Sequence, residues 1–276
     1  MSVRTAPGST GPRARLGRLL AASGAATLRW LGVMLDVAAL AATVVVAALH
    51  GDTWRRPVRA AFVHALHRVA VRALVTTAAT GVLLGATVMT QVFRLLEATG
   101  QMAMVGTVVV LVLVRETTPI VVGLIVFGRI GMATLIDLGE ARPRGWLRQL
   151  ERQGVDPLAL LVMPRVLGFA VGAFCLGTVL LASTLFSGYI AASALGMIGY
   201  SIWEFAGVVL RAMTPADFIV PPIKCLAIGF AVALVCCVTA LARADDSDEL
   251  QQLLPRGFVR AALAIILING VLDLVG

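Results

Sequence analysis

Residues 102–136 read MAMVGTVVVLVLVRETTPIVVGLIVFGRIGMATLI, an apolar stretch interrupted near its middle by an adjacent arginine and glutamate. As one straight α-helix this stretch would reach about 52 Å, well beyond the ~30 Å hydrocarbon core of a bilayer. Pro119 has no backbone N–H and its ring clashes with the preceding turn, so we expect the helix to break or tilt at RETTP. The sequence therefore predicts a membrane-spanning segment with a charged and distorted centre.

Further apolar stretches flank this one, and each is long enough, or nearly so, to cross a bilayer: 31–49, 73–93, 158–198, 218–242 and 258–276. Over the whole chain 59% of the residues are hydrophobic and 14% are charged, whereas soluble domains carry about 25% charged residues. The composition therefore predicts an all-α polytopic membrane protein. The stretch 158–198 exceeds one crossing, and we expect a span of about 25 residues followed by external structure.

Arginines indicate the topology, because cytoplasmic loops of membrane proteins are enriched in basic residues. Clusters of arginine lie on both sides of 31–49, so a spanning helix there would export one cluster. We predict that 31–49 lies along the cytoplasmic interface as an elbow helix, the alternative being a sixth span. The five remaining spans place the basic loops 137–157 and 243–260 on one side, with the N-terminus cytoplasmic and the C-terminus periplasmic. This topology accounts for the net charge of +8, and nucleic-acid binding is not expected.

The domain organisation follows from the absence of a long polar region. We expect one membrane domain over 1–276, made of a cytoplasmic tail (1–30), an interfacial or elbow region (31–72) and a five-span core (73–276). The only lysine, Lys224, does not follow a phosphate-binding glycine loop, so ATP hydrolysis by a P-loop is excluded. With no hydrolytic constellation and no metal-ligand spacing, we expect neither a cofactor, a metal nor an enzyme activity in this chain.

Arg115 and Glu116 are the candidate functional residues of the central span. Each would cost about 2.5 to 3.5 kcal/mol at the centre of a membrane helix, so a membrane protein retains them when they are buried in protein, hydrated or functional. Neighbouring helices could satisfy both side chains, or the pair could form the polar wall of a substrate cavity. Gln91, near the outer end of the span 73–93, is a further candidate for the same cavity.

The loop ARPRGWLRQLERQGVDP, residues 141–157, predicts a short amphipathic cytoplasmic helix over 143–153. Pro143 suits a first helical position and Gly154 suits the C-terminal cap. An apolar stripe is formed by Trp146, Leu147 and Leu150, and the opposite face carries Arg148, Glu151 and Arg152. Such a helix could lie at the membrane interface or dock into a partner protein.

Small-residue spacings recur at Gly81 and Gly85 and at Gly168 and Gly172. Glycines four residues apart on a helix allow a second helix to approach closely. The two pairs could serve packing within the chain, which is the more frequent use, or a dimer seam.

The strings VRETTPIVVGLIVFGRIG and LGEARPRGWLRQLERQGVDPLALLVMPRVLG resemble the MlaE (YrbE) family of lipid-transport ABC permeases. The resemblance runs ungapped from about Gln91 to Gly168 and continues to the C-terminus. The matching positions are Gln91; Arg115, Glu116 and Pro119; Gly128, Arg129 and Gly131; Asp156, Pro157, Pro164 and Arg165; and Asp217 and Lys224. Three places depart from the family pattern. Thr117–Thr118 replace the family's Leu-Gly pair, and Gly145–Trp146 replace its Glu-Gln pair. Asp137 replaces a glutamate.

This resemblance implies an MlaE-like permease fold, with an N-terminal interfacial helix and five transmembrane helices in each subunit of a homodimer. The implied substrate is phospholipid or a related lipid, moved between the inner and outer membranes of a bacterium. The implied partners are a cytoplasmic ABC ATPase, which would hydrolyse the ATP, a periplasmic MCE-domain lipid-binding protein and a small STAS-domain protein. A secondary transporter or ion relay, and an uncoupled membrane scaffold of the same fold, are the alternative functions.

The resemblance also implies roles for individual residues. Lipid-cavity residues would be Gln91, Arg115 and Glu116. Structural or gating residues would be Pro119, Gly128, Arg129, Gly131, Asp217 and Lys224. Contacts to the ATPase would come from Trp146, Leu147, Leu150 and Glu151 on the amphipathic helix, which would act as the coupling helix.

Overall fold

The computed structural model describes residues 32, 34–50, 56–141, 161–197, 199, 201–241 and 250–275, and every regular element in these ranges is helical. The helices are α1 Met34–Leu49, α2 Arg56–Thr99, α3 Met102–Gly139, α4 Met163–Ala194, α5 Ile202–Ala212, α6 Val220–Leu241 and α7 Leu250–Val275. Five segments are long and apolar enough to cross a membrane, namely α2, α3, α4, Pro215–Leu241 and Leu254–Leu274. This confirms the prediction of an all-α polytopic membrane protein.

Helix α1 corresponds to the apolar stretch 31–49. The described residues of this helix reach about 24 Å at 1.5 Å per residue. Its Val44 is buried in the main hydrophobic core, whereas Leu35 and Leu49 are exposed. An interfacial position of this helix stays a prediction.

Helix α2 is longer than the sequence analysis suggests. Its 44 residues run without a break through residue 73, where the first span is expected to begin, and correspond to about 66 Å. The basic part of this helix has an apolar stripe, because Val58, Val69 and Ala73 are buried against the bundle. This stripe explains why the arginine-rich segment continues the helix instead of forming a separate elbow.

Helices α2 and α4 form the most extensive helix contact of the described chain. A Cβ atom on Gly85 would lie 2.1 Å from the carbonyl oxygen of Thr184, and one on Gly172 would lie 2.4 Å from Cγ1 of Val69. Ser187 Oγ also donates to the carbonyl oxygen of Gly81 at 3.4 Å. Both glycine pairs therefore serve packing within one chain, which is the first of the two uses considered above.

Helix α3 passes through RETTP without ending, but its geometry changes there. Val110–Thr117 is π-helical, and α-helical geometry resumes at Thr118 with Pro119 in its first turn. A second π-helical turn covers Phe127–Gly131. The expected disruption at the proline is thus a wider helical turn, which re-aims the charged side chains without interrupting the span.

Helix α4 and the segment after it differ from the expected 25-residue span. The helix has 32 residues and ends in a turn where Gly196 has a positive φ of 72°. Helix α5 follows and begins with a capping box, in which the Ser201 hydroxyl accepts from the Glu204 N–H and the Glu204 carboxylate accepts from the Ser201 N–H. The segment after the span is therefore an amphipathic helix that packs beside α3.

Candidate functional site

Arg115 lies in the first π-helical turn of α3 and contacts the segment that precedes α6. Its Nε donates a hydrogen bond to the carboxylate of Asp217, and its Nη2 donates to Thr214 Oγ1 at 3.4 Å. Asp217 is buried, whereas 37% of the Arg115 side chain is exposed. Because a guanidinium has five N–H donors, Arg115 is held in place and still has donors for a ligand.

Asp217 is fixed by its own chain segment before it meets Arg115. One carboxylate oxygen accepts from the Thr214 N–H at 2.7 Å and from the Thr214 hydroxyl at 2.8 Å, and Pro215 begins the short 3-10 turn between them. The other oxygen accepts from Arg115. The carboxylate is therefore oriented by local hydrogen bonds, so that Arg115 meets an acceptor whose position is already set.

Lys224 is fully buried within α6, and its ammonium group contacts two other helices. It donates to the carboxylate of Asp273 on α7 and to the carbonyl oxygen of Arg115 at 3.2 Å. Pro119, four residues after Arg115, has no N–H to offer this carbonyl. The Arg115 carbonyl therefore has no α-helical (i+4) donor, and the Lys224 ammonium donates to it.

Glu116 points away from Arg115 and contacts α7. Asn269 Nδ2 donates to Glu116 Oε2 at 2.8 Å. The side-chain oxygen of Asn269, Oδ1, is buried and has no hydrogen-bond partner among the described residues. Asp273 follows one helical turn later on the same face of α7. Helix α7 therefore supplies two polar side chains to the site.

We call Arg115, Glu116, Asp217, Lys224 and Asp273 the charged cluster. It connects α3, α6 and α7, so that each charge has a partner from another element. Unpaired charges are costly within a membrane, and pairing across helices is what makes their presence there tolerable. Arg115 and Glu116 thus have hydrogen-bond partners on other elements, and their role in a substrate cavity stays a prediction.

The remaining candidate residues lie apart from this cluster. Gln91 is exposed on α2, and within the described chain no hydrogen bond joins it to Arg115 or Glu116. Arg129 is exposed and donates from Nη2 to the carbonyl oxygen of Arg72 at 3.2 Å, which ties α3 to α2. The structure thus brings four of the predicted residues together in the cluster and leaves Gln91 outside it.

Two glycines of the GRxG motif differ in their surroundings. A Cβ atom on Gly131 would lie 2.9 Å from a Phe127 ring carbon and 3.2 Å from Cys236 Sγ, so Gly131 permits α3 and α6 to approach. A Cβ atom on Gly128 would meet nothing within 4 Å. The proposed coupling residues Trp146, Leu147, Leu150 and Glu151 lie outside the described residues.

An apolar cleft of about 600 Å³ lies between α3, α4 and α5. Its lining is almost wholly hydrophobic: Val114, Leu181, Leu185, Phe186, Ile202, Trp203, Phe205, Ala206, Val209, Leu210 and Met213. Val114 directly precedes Arg115, and Met213 directly precedes Thr214, which accepts a hydrogen bond from Arg115. The apolar cleft therefore adjoins the polar groups around Arg115.

Sequence reasoning did not identify Thr214, Asn269 or Asp273 as site residues. Asn269 and Asp273 carried a signal, since they are two polar side chains four positions apart in the otherwise apolar run ILINGVLDL. Thr214 also carried one, because T-P-A-D places a hydroxyl three residues before an acid, the spacing of a capping box.

The fold and the site together define a class, that of multi-span α-helical membrane proteins with a cluster of charged side chains bonded between helices. Intramembrane charges of this kind commonly mark a substrate or ion pathway. The family model described as Permease MlaE matches residues 62–275. The chain belongs to the MlaE permease family, which confirms the resemblance found in its motifs.

Individual relatives agree with this assignment. A probable ABC transporter permease protein of Rickettsia prowazekii (strain Madrid E) is 24% identical over 165 residues, which cover 60% of this chain and 63% of the relative. The chloroplastic protein TRIGALACTOSYLDIACYLGLYCEROL 1 of Arabidopsis thaliana is 28% identical over 212 residues, covering 75% and 57%. A probable ABC transporter permease protein of Synechocystis is 26% identical over 170 residues, covering 62% and 64%. The chain thus spans about three fifths of the length of these relatives.

Proposed function

We propose that this chain is the membrane permease subunit of an ATP-driven transporter that moves phospholipid, or a related lipid, between two membranes. The observation that carries the proposal is the position of the apolar cleft beside Arg115. A volume of about 600 Å³ is in the range of ligand sites, and its walls are suited to acyl chains. The exposed donors of Arg115 are suited to the headgroup, because guanidinium binds phosphate oxygens in charge-assisted hydrogen bonds.

The family and the relatives support an ATPase partner and a lipid substrate. The relatives named as ABC transporter permeases support a cytoplasmic ATPase as the source of energy, and the name of the Arabidopsis protein, which refers to a diacylglycerol, supports a lipid substrate. We further propose a homodimer in the bacterial inner membrane, with an MCE-domain protein on the periplasmic side and a STAS-domain protein at the ATPase. Residues 143–153 would transmit the motion of the ATPase, with Trp146 as the anchor of the contact.

Photo-crosslinking in the purified protein tests the cleft. A photoreactive amino acid replaces Leu210, which lines the apolar cleft, or Leu263 on the exposed face of α7 as a control. In native membranes both positions are expected to crosslink lipid. After purification in detergent, we expect lipid to remain crosslinked at position 210 and to be lost at position 263, since only a lipid bound in the cleft resists dilution.

A second variant links the headgroup to the charged cluster. Arg115→Gln in the position-210 background should lower the yield of crosslinked lipid while the protein elutes as a folded species. With Arg115 unchanged, loss of crosslinked lipid at position 210 as well as at position 263 after purification would contradict the proposal. The ion-relay alternative predicts proton-driven activity of the purified chain without any ATPase, so proton uptake by this chain alone in vesicles would favour that function instead.

A further inference from the structure

A second cleft lies at the opposite end of the helix bundle from the charged cluster. It has a volume of about 220 Å³ and lies between the first half of α2, the last part of α3 and the start of α4. We call it the basic cleft, after the side chains of His64, Arg68 and Arg165 in its lining. Thr134, also in the lining, is roughly 28 Å from Arg115 along α3 at 1.5 Å per residue. The two sites are therefore separate.

Arg165 is the distinctive residue of the basic cleft. Its Nη1 atom is buried and has no hydrogen-bond partner among the described residues. An arginine is charged at all ordinary pH values, and a buried donor without an acceptor is destabilising. An acceptor from outside the chain would satisfy this group, and the cleft gives such an acceptor access to it.

Arg68 adds a second guanidinium beside Arg165. Its Nη1 donates to Asp137 Oδ2 at 3.4 Å, and its Nη2 lies 3.3 Å from His64 Nε2. The Asp137 side chain is 47% exposed, so this ion pair is solvated and weak. Thr134 donates its hydroxyl proton to the carbonyl oxygen of Ile130 at 2.9 Å and brings no donor to a ligand. Two guanidinium groups thus line the cleft, and the one exposed carboxylate nearby pairs with Arg68.

We infer that the basic cleft binds a phosphate group, carried by a lipid headgroup or free in solution. Guanidinium groups recognise phosphate oxygens through paired, charge-assisted hydrogen bonds. Ile130, Leu161 and Phe169 form apolar walls, and a less polar surrounding strengthens such pairs compared with water. The inference goes beyond the proposed function, since it holds whether or not the apolar cleft on the other side of the bundle binds lipid.

Thermal unfolding of the full chain in a neutral detergent tests the inference. The probes are sodium phosphate, dihexanoyl phosphatidic acid and dihexanoyl phosphatidylcholine, each compared with sodium chloride at equal ionic strength. We expect a phosphate-bearing probe to raise the unfolding midpoint with concentration, because a ligand of the folded state stabilises it by mass action. Stabilisation by sodium phosphate would identify a site for a free phosphate group, and stabilisation by the lipids alone would identify a headgroup site. Either result supports the inference when the cleft variants described next weaken this stabilisation.

Matched variants assign the effect to the cleft. Arg165→Gln removes the buried cation, and we expect the apparent Kd to weaken about tenfold. Ala61→Glu places a carboxylate in the cleft wall without removing a hydrogen bond, and it gives the same loss should Arg165→Gln fail to fold. Asp137→Asn releases Arg68, so we expect binding to tighten about two- to fivefold. Arg59→Gln changes an exposed arginine of α2 that does not line the cleft, and it should bind like the parent.

The gain in affinity for Asp137→Asn separates a binding site from a structural arginine, since loss of an ion pair would only destabilise a structural site. Equal stabilisation of the parent, Arg165→Gln, Ala61→Glu and Asp137→Asn by all probes would overturn the inference. Failure of every probe to stabilise the parent would overturn it as well. Neither result bears on lipid crosslinking at position 210, so the two proposals fail independently.

Discussion

At the scale of single residues, Pro119 and Lys224 both affect the carbonyl oxygen of Arg115. Pro119 leaves the carbonyl oxygen of Arg115 without its usual helical donor, and the buried ammonium of Lys224 donates to that oxygen at 3.2 Å. The same ammonium pairs with Asp273, so the Lys224 side chain connects α6 with both α3 and α7. The lysine is therefore a central structural contact of this part of the bundle.

Replacement of Lys224 by methionine keeps the length of the side chain and removes its charge. We expect a loss of about 1–3 kcal/mol in stability, because Asp273, whose side chain is 35% exposed, and the Arg115 carbonyl lose their donor. The double variant Lys224→Met/Asp273→Leu should recover most of this loss, since no unpaired charge remains. Thermal unfolding in detergent measures both changes. A double variant that is as unstable as the sum of the two single ones would rule out the pairing.

At the scale of helices, small side chains determine how closely α2 and α4 pack. Gly81 and Gly85 lie against the serine and threonine face of α4, and Gly168 and Gly172 lie against Ala65 and Val69 of α2. A polytopic protein has little hydrophobic driving force for helix association within lipid, so close contact and backbone hydrogen bonds contribute more. Here both appear in one interface, which includes the bond from Ser187 to Gly81.

Two glycine substitutions separate close packing from helix propensity. Gly85→Ala should destabilise the protein by about 1–3 kcal/mol, because its Cβ would lie 2.1 Å from the Thr184 carbonyl oxygen. Gly128→Ala is the matched control, since its Cβ would meet nothing within 4 Å and alanine favours a helix. Chemical or thermal unfolding compares the two. An unchanged midpoint for Gly85→Ala would show that the interface is looser than described.

The membrane spans could be predicted from sequence because hydrophobic length alone defines them. The exact extent of the helices could not, as α2 shows. The first half of α2 is rich in basic residues and has only a sparse apolar stripe, at Val58, Val69 and Ala73. Its composition therefore resembles that of a loop. Helix α5 had a local signal in the capping box of Ser201 and Glu204, although the sequence analysis predicts only external structure after the span.

Charged positions could likewise be predicted, but not their partners. Arg115 and Glu116 stand out in an apolar run, yet adjacent residues of a helix point about 100° apart, and which neighbours they meet depends on tertiary packing. The seven-residue spacing of Asp217 and Lys224 would place both on one face of a continuous helix. In the structure Asp217 lies in a 3-10 turn before α6 and pairs with Arg115, while Lys224 pairs with Asp273. Such pairings join residues far apart in the chain and leave no periodic signal.

At the scale of the whole molecule, polar features occupy both ends of the bundle. The charged cluster and the apolar cleft lie near α5, and the basic cleft lies near the start of α2 and the end of α3. With the topology proposed from arginine distribution, the first pair would face the periplasmic side and the basic cleft the cytoplasmic side. The orientation therefore decides which leaflet each site meets.

Cysteine labelling in a cysteine-free background tests this orientation. We expect Asp52→Cys to react with a membrane-impermeant reagent from the cytoplasmic side and Gly276→Cys from the periplasmic side, because the opposite arrangement exports an arginine cluster. Both positions should react after detergent is added, which controls for local accessibility. Labelling of Asp52→Cys from the periplasmic side would contradict the topology and make 31–49 a span.

The most direct test of the central claim, that a lipid occupies the apolar cleft, is native mass spectrometry of the detergent-purified protein. Ala206→Trp obstructs the cleft with a bulky side chain and changes no residue of the charged cluster, and Val75→Trp adds the same side chain at an exposed position of α2 outside the cleft. We expect the parent and Val75→Trp to retain bound lipid and Ala206→Trp to lose it. Equal lipid retention by all three proteins would contradict the account.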